Sequence, residues 1–63
     1  MIYVNILSKD KNTGKYKSET KSFYNRIDAL RFMYMMKHKG YFIDGWSCDD
    51  EYDNEWLGRK FKQ

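Results

Sequence analysis

Ile2, Val4 and Ile6 alternate with Tyr3, Asn5 and Leu7 at the start of the chain. A period of two with β-branched residues predicts a strand that turns one apolar face to a core. After it, Asn12-Thr13-Gly14 is a turn signal in which Gly14 suits a left-handed position that closes a hairpin. Lys15 to Ser22 alternates again, but between polar types, so the second strand is expected at a sheet edge, where its lysines discourage pairing with other sheets. Phe23 ends it.

The period then changes. Asn25 followed by Asp28 reads as an N-cap with an acidic third residue, and a helix is predicted from about Arg26 to Lys39. Lys37, His38 and Lys39 suit the negative end of its dipole, and Gly40 stands where a C-capping glycine belongs. At 100° per residue, Ala29, Leu30, Phe32, Met33 and Met36 form a wide core-facing arc. Ile27 and Tyr34 extend it on one flank, and Met35 falls on the far side among Asp28 and Arg31. One sheet face cannot cover all of that, so a second element or a second subunit must.

Tyr41 to Cys48 is the third strand, with Gly45 marking a bulge or a close approach. From Asp49 onward two readings stand. As a strand, Tyr52, Asn54 and Trp56 share a face. As a helix, acids lead and bases trail, with Tyr52–Trp56, Glu55–Arg59 and Leu57–Phe61 spaced i,i+4. Gly58 weakens such a helix by about 1 kcal/mol or ends it. The helix is the preferred reading. The expected architecture is a single α+β domain over residues 1–63: a three-stranded antiparallel sheet in ββαβ order, packed on one long helix, with a C-terminal helix or, less well, a fourth strand.

At 63 residues the chain buries only about 60% of the surface its unfolded form exposes, and small domains commonly rely on a disulfide, a metal or a partner. One cysteine, Cys48, allows no internal disulfide, and one histidine, His38, leaves no zinc set of the usual spacing. With 41% hydrophobic and 19% aromatic residues the chain is too apolar for disorder despite 33% charged residues. No apolar run approaches the roughly 20 residues of a membrane helix, so no membrane partner is expected. The first residues lack the basic flank and cleavage site of a signal peptide. A lone thiol fits a reducing compartment, and the cytoplasm is the expected location.

Charge comes in blocks. Residues 1–43 hold nine Lys/Arg against three Asp/Glu, residues 44–58 hold six acids and no base, and residues 59–63 add three bases, giving +3 in total. Kept apart in space, such blocks make distinct basic and acidic regions. The basic block offers Lys9, Lys11, Lys15, Lys17 and Lys21 on a hairpin with Tyr3 and Tyr16. That combination can track a phosphate backbone and stack bases, or simply keep an exposed edge solvated.

Catalytic and metal motifs are not formed. Gly14-Lys15 is followed by Tyr16 and lacks the paired glycines of a phosphate loop. His38 and Cys48 have no third orienting group. Counted from Asp49, the sixth and twelfth positions of a calcium loop hold Asn54 and Lys60 instead of Gly and Glu. The five carboxylates from Asp49 to Glu55 therefore read first as a helix start, with Asp49 or Asp50 as N-cap between two inward-packing tryptophans. Mimicry of a phosphate backbone is the functional alternative. No catalytic residue, metal or cofactor is expected, and the chain does not read as an enzyme.

Two Trp, six Tyr, four Phe and four Met exceed what one small core can hide, and these types are enriched at interface centres. The expected role is protein binding, as a homodimer and toward a host protein, through Tyr34, Met35, Trp46, Tyr52 and Trp56 with Asp49, Asp50 and Glu51. The alternative is nucleic-acid binding through Lys9, Lys11, Lys15, Tyr16, Lys17 and Lys21.

The hairpin signal Asn12-Thr13-Gly14-Lys15, then Phe23, Ala29-Leu30 and Gly40-Tyr41 in ββαβ order, is similar to small proteins of phages and prophages of low-GC Gram-positive bacteria. The resemblance implies an accessory role, binding a host protein or nucleic acid, in preference to metabolic catalysis.

Overall fold

The computed structural model describes residues 1–62 and has the order ββαβα: β1 (Ile2–Lys9), β2 (Tyr16–Phe23), α1 (Arg26–His38), β3 (Phe42–Cys48) and α2 (Glu51–Lys60). The fold is α+β. β1 lies in the middle of the sheet, antiparallel to β2 on one side and to β3 on the other, so the polar β2 is an edge strand. Helix α2 takes the place of the fourth strand.

Local chemistry sets each boundary. In the hairpin loop Gly14 has φ +73 and donates to Asp10 O at 2.8 Å, and Asp10 N donates to Lys15 O at 2.8 Å. Asn25 caps α1, its Oδ1 accepting from the backbone N–H of Ile27 (2.8 Å) and Asp28 (3.2 Å). At the other end Gly40 has φ +92. Its N–H donates to Lys37 O, and that of Tyr41 donates to Met36 O, the paired bonds of a Schellman cap. Asp50 caps α2 by accepting from Tyr52 N at 2.8 Å. Gly45 does stand at a bulge. The register shifts between Asn5, opposite Gly45, and Ile6, opposite Ile43, leaving Asp44 as the extra residue.

Both helices pack on one face of the sheet. Ile2, Val4 and Ile6 of β1 are buried there with Ala29, Met33, Ile43, Leu57 and Phe61. The arc of α1 that a lone sheet face could not cover is met by α2 and its C-cap in the same chain: Tyr34 packs tilted against the C-cap residue Phe61, ring centroids 5.0 Å apart, and donates its hydroxyl to Lys60 O at 2.6 Å. Trp46 meets the Phe61 ring edge-on at 6.1 Å. Both tryptophans are half-buried against the core, Trp56 lying beneath Arg26. Ile27, expected on the covered flank, is half exposed. At that end of α1, α2 presents Asp53 to Arg26 (3.5 Å), while its apolar Leu57 and Phe61 lie further along.

Gly58 sits inside α2 without ending it, and a Cβ there would meet only Trp46 Cζ2, at 3.8 Å. Gly58→Ala is therefore expected to stabilise the protein by about 0.5–1 kcal/mol, raising the thermal midpoint by several degrees. Leu57→Ala, at a fully buried position, is expected to cost about 2–5 kcal/mol, a large part of what so small a domain has. Thermal and urea unfolding followed by circular dichroism check both. A lower midpoint for Gly58→Ala would show that α2 is strained at that point.

Candidate nucleic-acid interface

Strand register sorts the side chains of the sheet into two faces. The helix-covered face carries Ile2, Val4 and Ile6, with Lys21, Glu19 and Lys17 beside them on β2. The opposite face carries Tyr3, Asn5, Leu7 and Lys9 on β1, opposite Ser22, Thr20, Ser18 and Tyr16. On β3 the pairing adds Phe42 and Ser47 to it. No helix covers this second face. Tyr3, Tyr16 and Phe42 are 42%, 58% and 59% exposed, and Tyr16 and Phe42 come together with ring centroids 6.5 Å apart.

A hydrogen-bonded cluster holds the centre of the open face. Asn5 Oδ1 accepts from Ser18 Oγ (2.9 Å) and Thr20 Oγ1 (3.1 Å), and Asn5 Nδ2 donates to Asp44 Oδ2 at 2.8 Å. The bulge makes this possible by leaving Asp44 outside the ladder. One side chain thus ties all three strands together, which keeps the aromatic positions around it in fixed register.

The direction of each element separates the charge blocks in space. β1, about 23 Å long at ~3.3 Å per residue, runs from the end where Ile2 pairs with Cys48 to the end where Lys9 pairs with Tyr16. Helices α1 and α2 run the same way: Arg26 pairs with Asp53 near their starts, and Tyr34 and Lys37 reach Lys60 O and Lys62 O near their ends. One end of the 39 × 18 × 14 Å molecule therefore gathers Asp49, Asp50, Glu51 and Asp53. The other gathers Lys9, Lys11, Lys15 and Lys17 with Lys37, Lys39 and the basic end of α2.

The structure brings together some of the residues singled out in the sequence and parts others. Lys9 and Lys11 line a cavity of about 270 Å³ with Lys39 and Phe42. Lys17 and Lys21 project from the opposite face to Tyr16, and Lys17 lies 3.7 Å from Glu19. Lys15 belongs to the loop, its N–H donating to Thr13 Oγ1 at 3.3 Å. On the protein-binding side, Tyr34, Trp46 and Trp56 pack within the fold, whereas Met35 and Tyr52 are exposed at 48% and 78%. Asp49 meets the amino group of Met1 at 3.0 Å, and Asp50 is occupied as N-cap. Glu51 is exposed beside them. Phe42, Lys39 and Asn5 were not singled out from the sequence. Only the strand order, which sets β3 beside β1 and brings Phe42 near Tyr16, reveals the first.

No three His, Cys, Asp or Glu among the described residues are grouped to hold a metal ion. His38 and Cys48 lie at opposite ends of the molecule. Burial pushes the Cys48 thiol up from its ordinary pKa, and the carboxylates of Asp53, Asp49 and Asp50 push the same way against the amino terminus. Alkylation by neutral iodoacetamide across a pH series is expected to give a higher midpoint for the folded chain than for the chain unfolded in urea. An equal or lower midpoint would mean that neither burial nor the acidic end raises the thiol.

Scans of protein-family models, curated proteins and solved structures find no match to this chain.

Proposed function

We propose that the chain is a non-catalytic binding protein for single-stranded nucleic acid, working through the open sheet face and the lysine-rich end beside it. The observation that carries this reading is the placement of Tyr3, Tyr16 and Phe42, three exposed rings on the one sheet face that no helix covers. Aromatic side chains on such a face stack unpaired bases at about 1–3 kcal/mol per base and tolerate any sequence, because every base has a π-face. Lys9 and Lys11 at the end of the same face supply the charge that a phosphate backbone needs. Asp44 brings a carboxylate to the centre of the same face, tied to Asn5, whereas Lys9 and Lys11 stand at its end. Such a role suits the phage-type accessory function that the sequence resemblance implies, in the cytoplasm, where the Cys48 thiol stays reduced.

A second reading is favoured by Tyr52, the exposed ring that follows Asp49, Asp50 and Glu51. It is association with a protein partner or a second copy through the acidic end, whose charge complements the basic end of another molecule.

Fluorescence anisotropy with a labelled oligo(dT) distinguishes the two. Binding is expected to weaken steeply with salt, with a log–log slope on the order of −2 for three phosphate contacts. Tyr16→Ala with Phe42→Ala is expected to lose about tenfold or more in affinity without loss of fold. Binding that is absent or independent of salt contradicts the nucleic-acid reading. Light scattering that gives a dimer mass at low salt and a monomer mass at high salt, with no oligo(dT) binding, establishes the second.

A further inference from the structure

The basic end contains two cavities that share a wall. The first, about 270 Å³, is lined by Ser8, Lys9, Lys11 and Lys39 together with Gly40–Tyr41–Phe42. The second, about 310 Å³, lies against the same Gly40–Tyr41–Phe42 segment and is also lined by Lys37, Ile43 and Phe61. The first is cationic and the second mainly apolar. The second reaches the lower end of the ~300–1,000 Å³ range of small-molecule sites, and the first is slightly smaller.

The lysines of the first cavity come from two distant parts of the chain, the hairpin and the end of α1. The ion pairs among the described residues are Met1–Asp49, Lys17–Glu19 and Arg26–Asp53, so Lys9, Lys11 and Lys39 have no carboxylate partner among those residues. Asp10, which lies between two of them, uses Oδ1 to accept from Asn12 N at 2.8 Å. The three lysines outnumber the one carboxylate of the hairpin loop, Asp10, so this end keeps a positive charge that attracts an anion. Each lysine offers three rotatable donors and acts on phosphate as a point charge. The shared wall is held by the Schellman bonds of the α1 cap, so Lys39 and Tyr41 stand on fixed backbone and not on a free loop.

From this juxtaposition we propose that the basic end is a nucleotide site: a phosphate group lies among Lys9, Lys11 and Lys39, and the base enters the apolar cavity across the Gly40–Phe42 wall, beside Phe61. The proposal extends the nucleic-acid reading, whose strand would be anchored here by one nucleotide. It is tested separately from that reading because a mononucleotide cannot span the open sheet face.

Amide ¹H–¹⁵N spectra of the full chain, recorded at constant ionic strength, test it with thymidine 5′-monophosphate, inorganic phosphate and thymidine. The monophosphate is expected to shift the amides of Lys9–Lys11 and of Lys39–Ile43 together, and inorganic phosphate only those around the lysines. Lys11→Gln with Lys39→Gln, both at exposed positions, is expected to weaken the monophosphate about tenfold and to leave thymidine unchanged. Monophosphate shifts no larger than those of sodium chloride, or shifts unaltered in the double variant, would overturn the nucleotide site. If that happens while oligo(dT) still binds through Tyr16 and Phe42, only the cavity assignment falls. If the monophosphate binds as expected and oligo(dT) does not, the nucleotide site stands and the polymer reading falls.

Discussion

Burial of Ile2, Val4 and Ile6 under two helices is the constraint on which the rest of the molecule depends. Strand β1 supplies the most deeply buried stripe of the sheet, and α1 alone is too narrow to cover it and satisfy its own wide apolar arc. Leu57 and Phe61 of α2 complete the cover, and the Tyr34 hydroxyl fixes the end of α2 by bonding Lys60 O. With eight buried residues in the core, the apolar area is small, so each of these contacts carries a large share of a marginal stability. The cover that a second subunit could have supplied comes from the same chain.

Both helices being needed on one side, the other side of the sheet has no cover. Its centre is made compatible with water by Asn5, Ser18, Thr20 and Asp44, which satisfy one another across three strands. Its margins are less so: Tyr3, Tyr16 and Phe42 keep much of their ring surface exposed. The same parallel course of the two helices, with β1 running alongside, carries Lys9, Lys11, Lys15, Lys37 and Lys39 to one end and Asp49, Asp50, Glu51 and Asp53 to the other. Aromatic platform and cationic end thus meet at Lys9 and Phe42. Their proximity follows from topology rather than from any local motif.

Much of the architecture was legible in the residues. The alternation of Ile2 to Leu7, the Asn25 cap, the Gly40 stop and the Gly45 bulge each have a local physical cause, and each appears in the fold. The acids before Tyr52 read as a helix start because a dipole and an N-cap act within one turn, and Asp50 fills that position. What could not be read depends on pairing between distant segments. Lys17 and Lys21 belong to the same hairpin as Tyr16, yet period-two geometry puts them on the opposite face, and the face is fixed only by the register with β1. Phe42 is remote in sequence from Tyr16, and Lys39 from Lys9 and Lys11. The order β2-β1-β3 and the turn after α1 bring them together. Ile27 reads as covered by periodicity alone, but no apolar side chain of α2 reaches it.

The central claim, that the uncovered face is a stacking surface for unpaired bases, is tested most directly by photochemical cross-linking of the chain to an oligonucleotide carrying 5-iododeoxyuridine, followed by peptide mass spectrometry. The account predicts adducts at Tyr3, Tyr16 or Phe42, lost on substitution of those rings and absent from Trp46 on the helix-covered face and from Trp56 of α2. Adducts confined to Tyr52, Trp56 or the outer side of α1, with none on the sheet face, would contradict it.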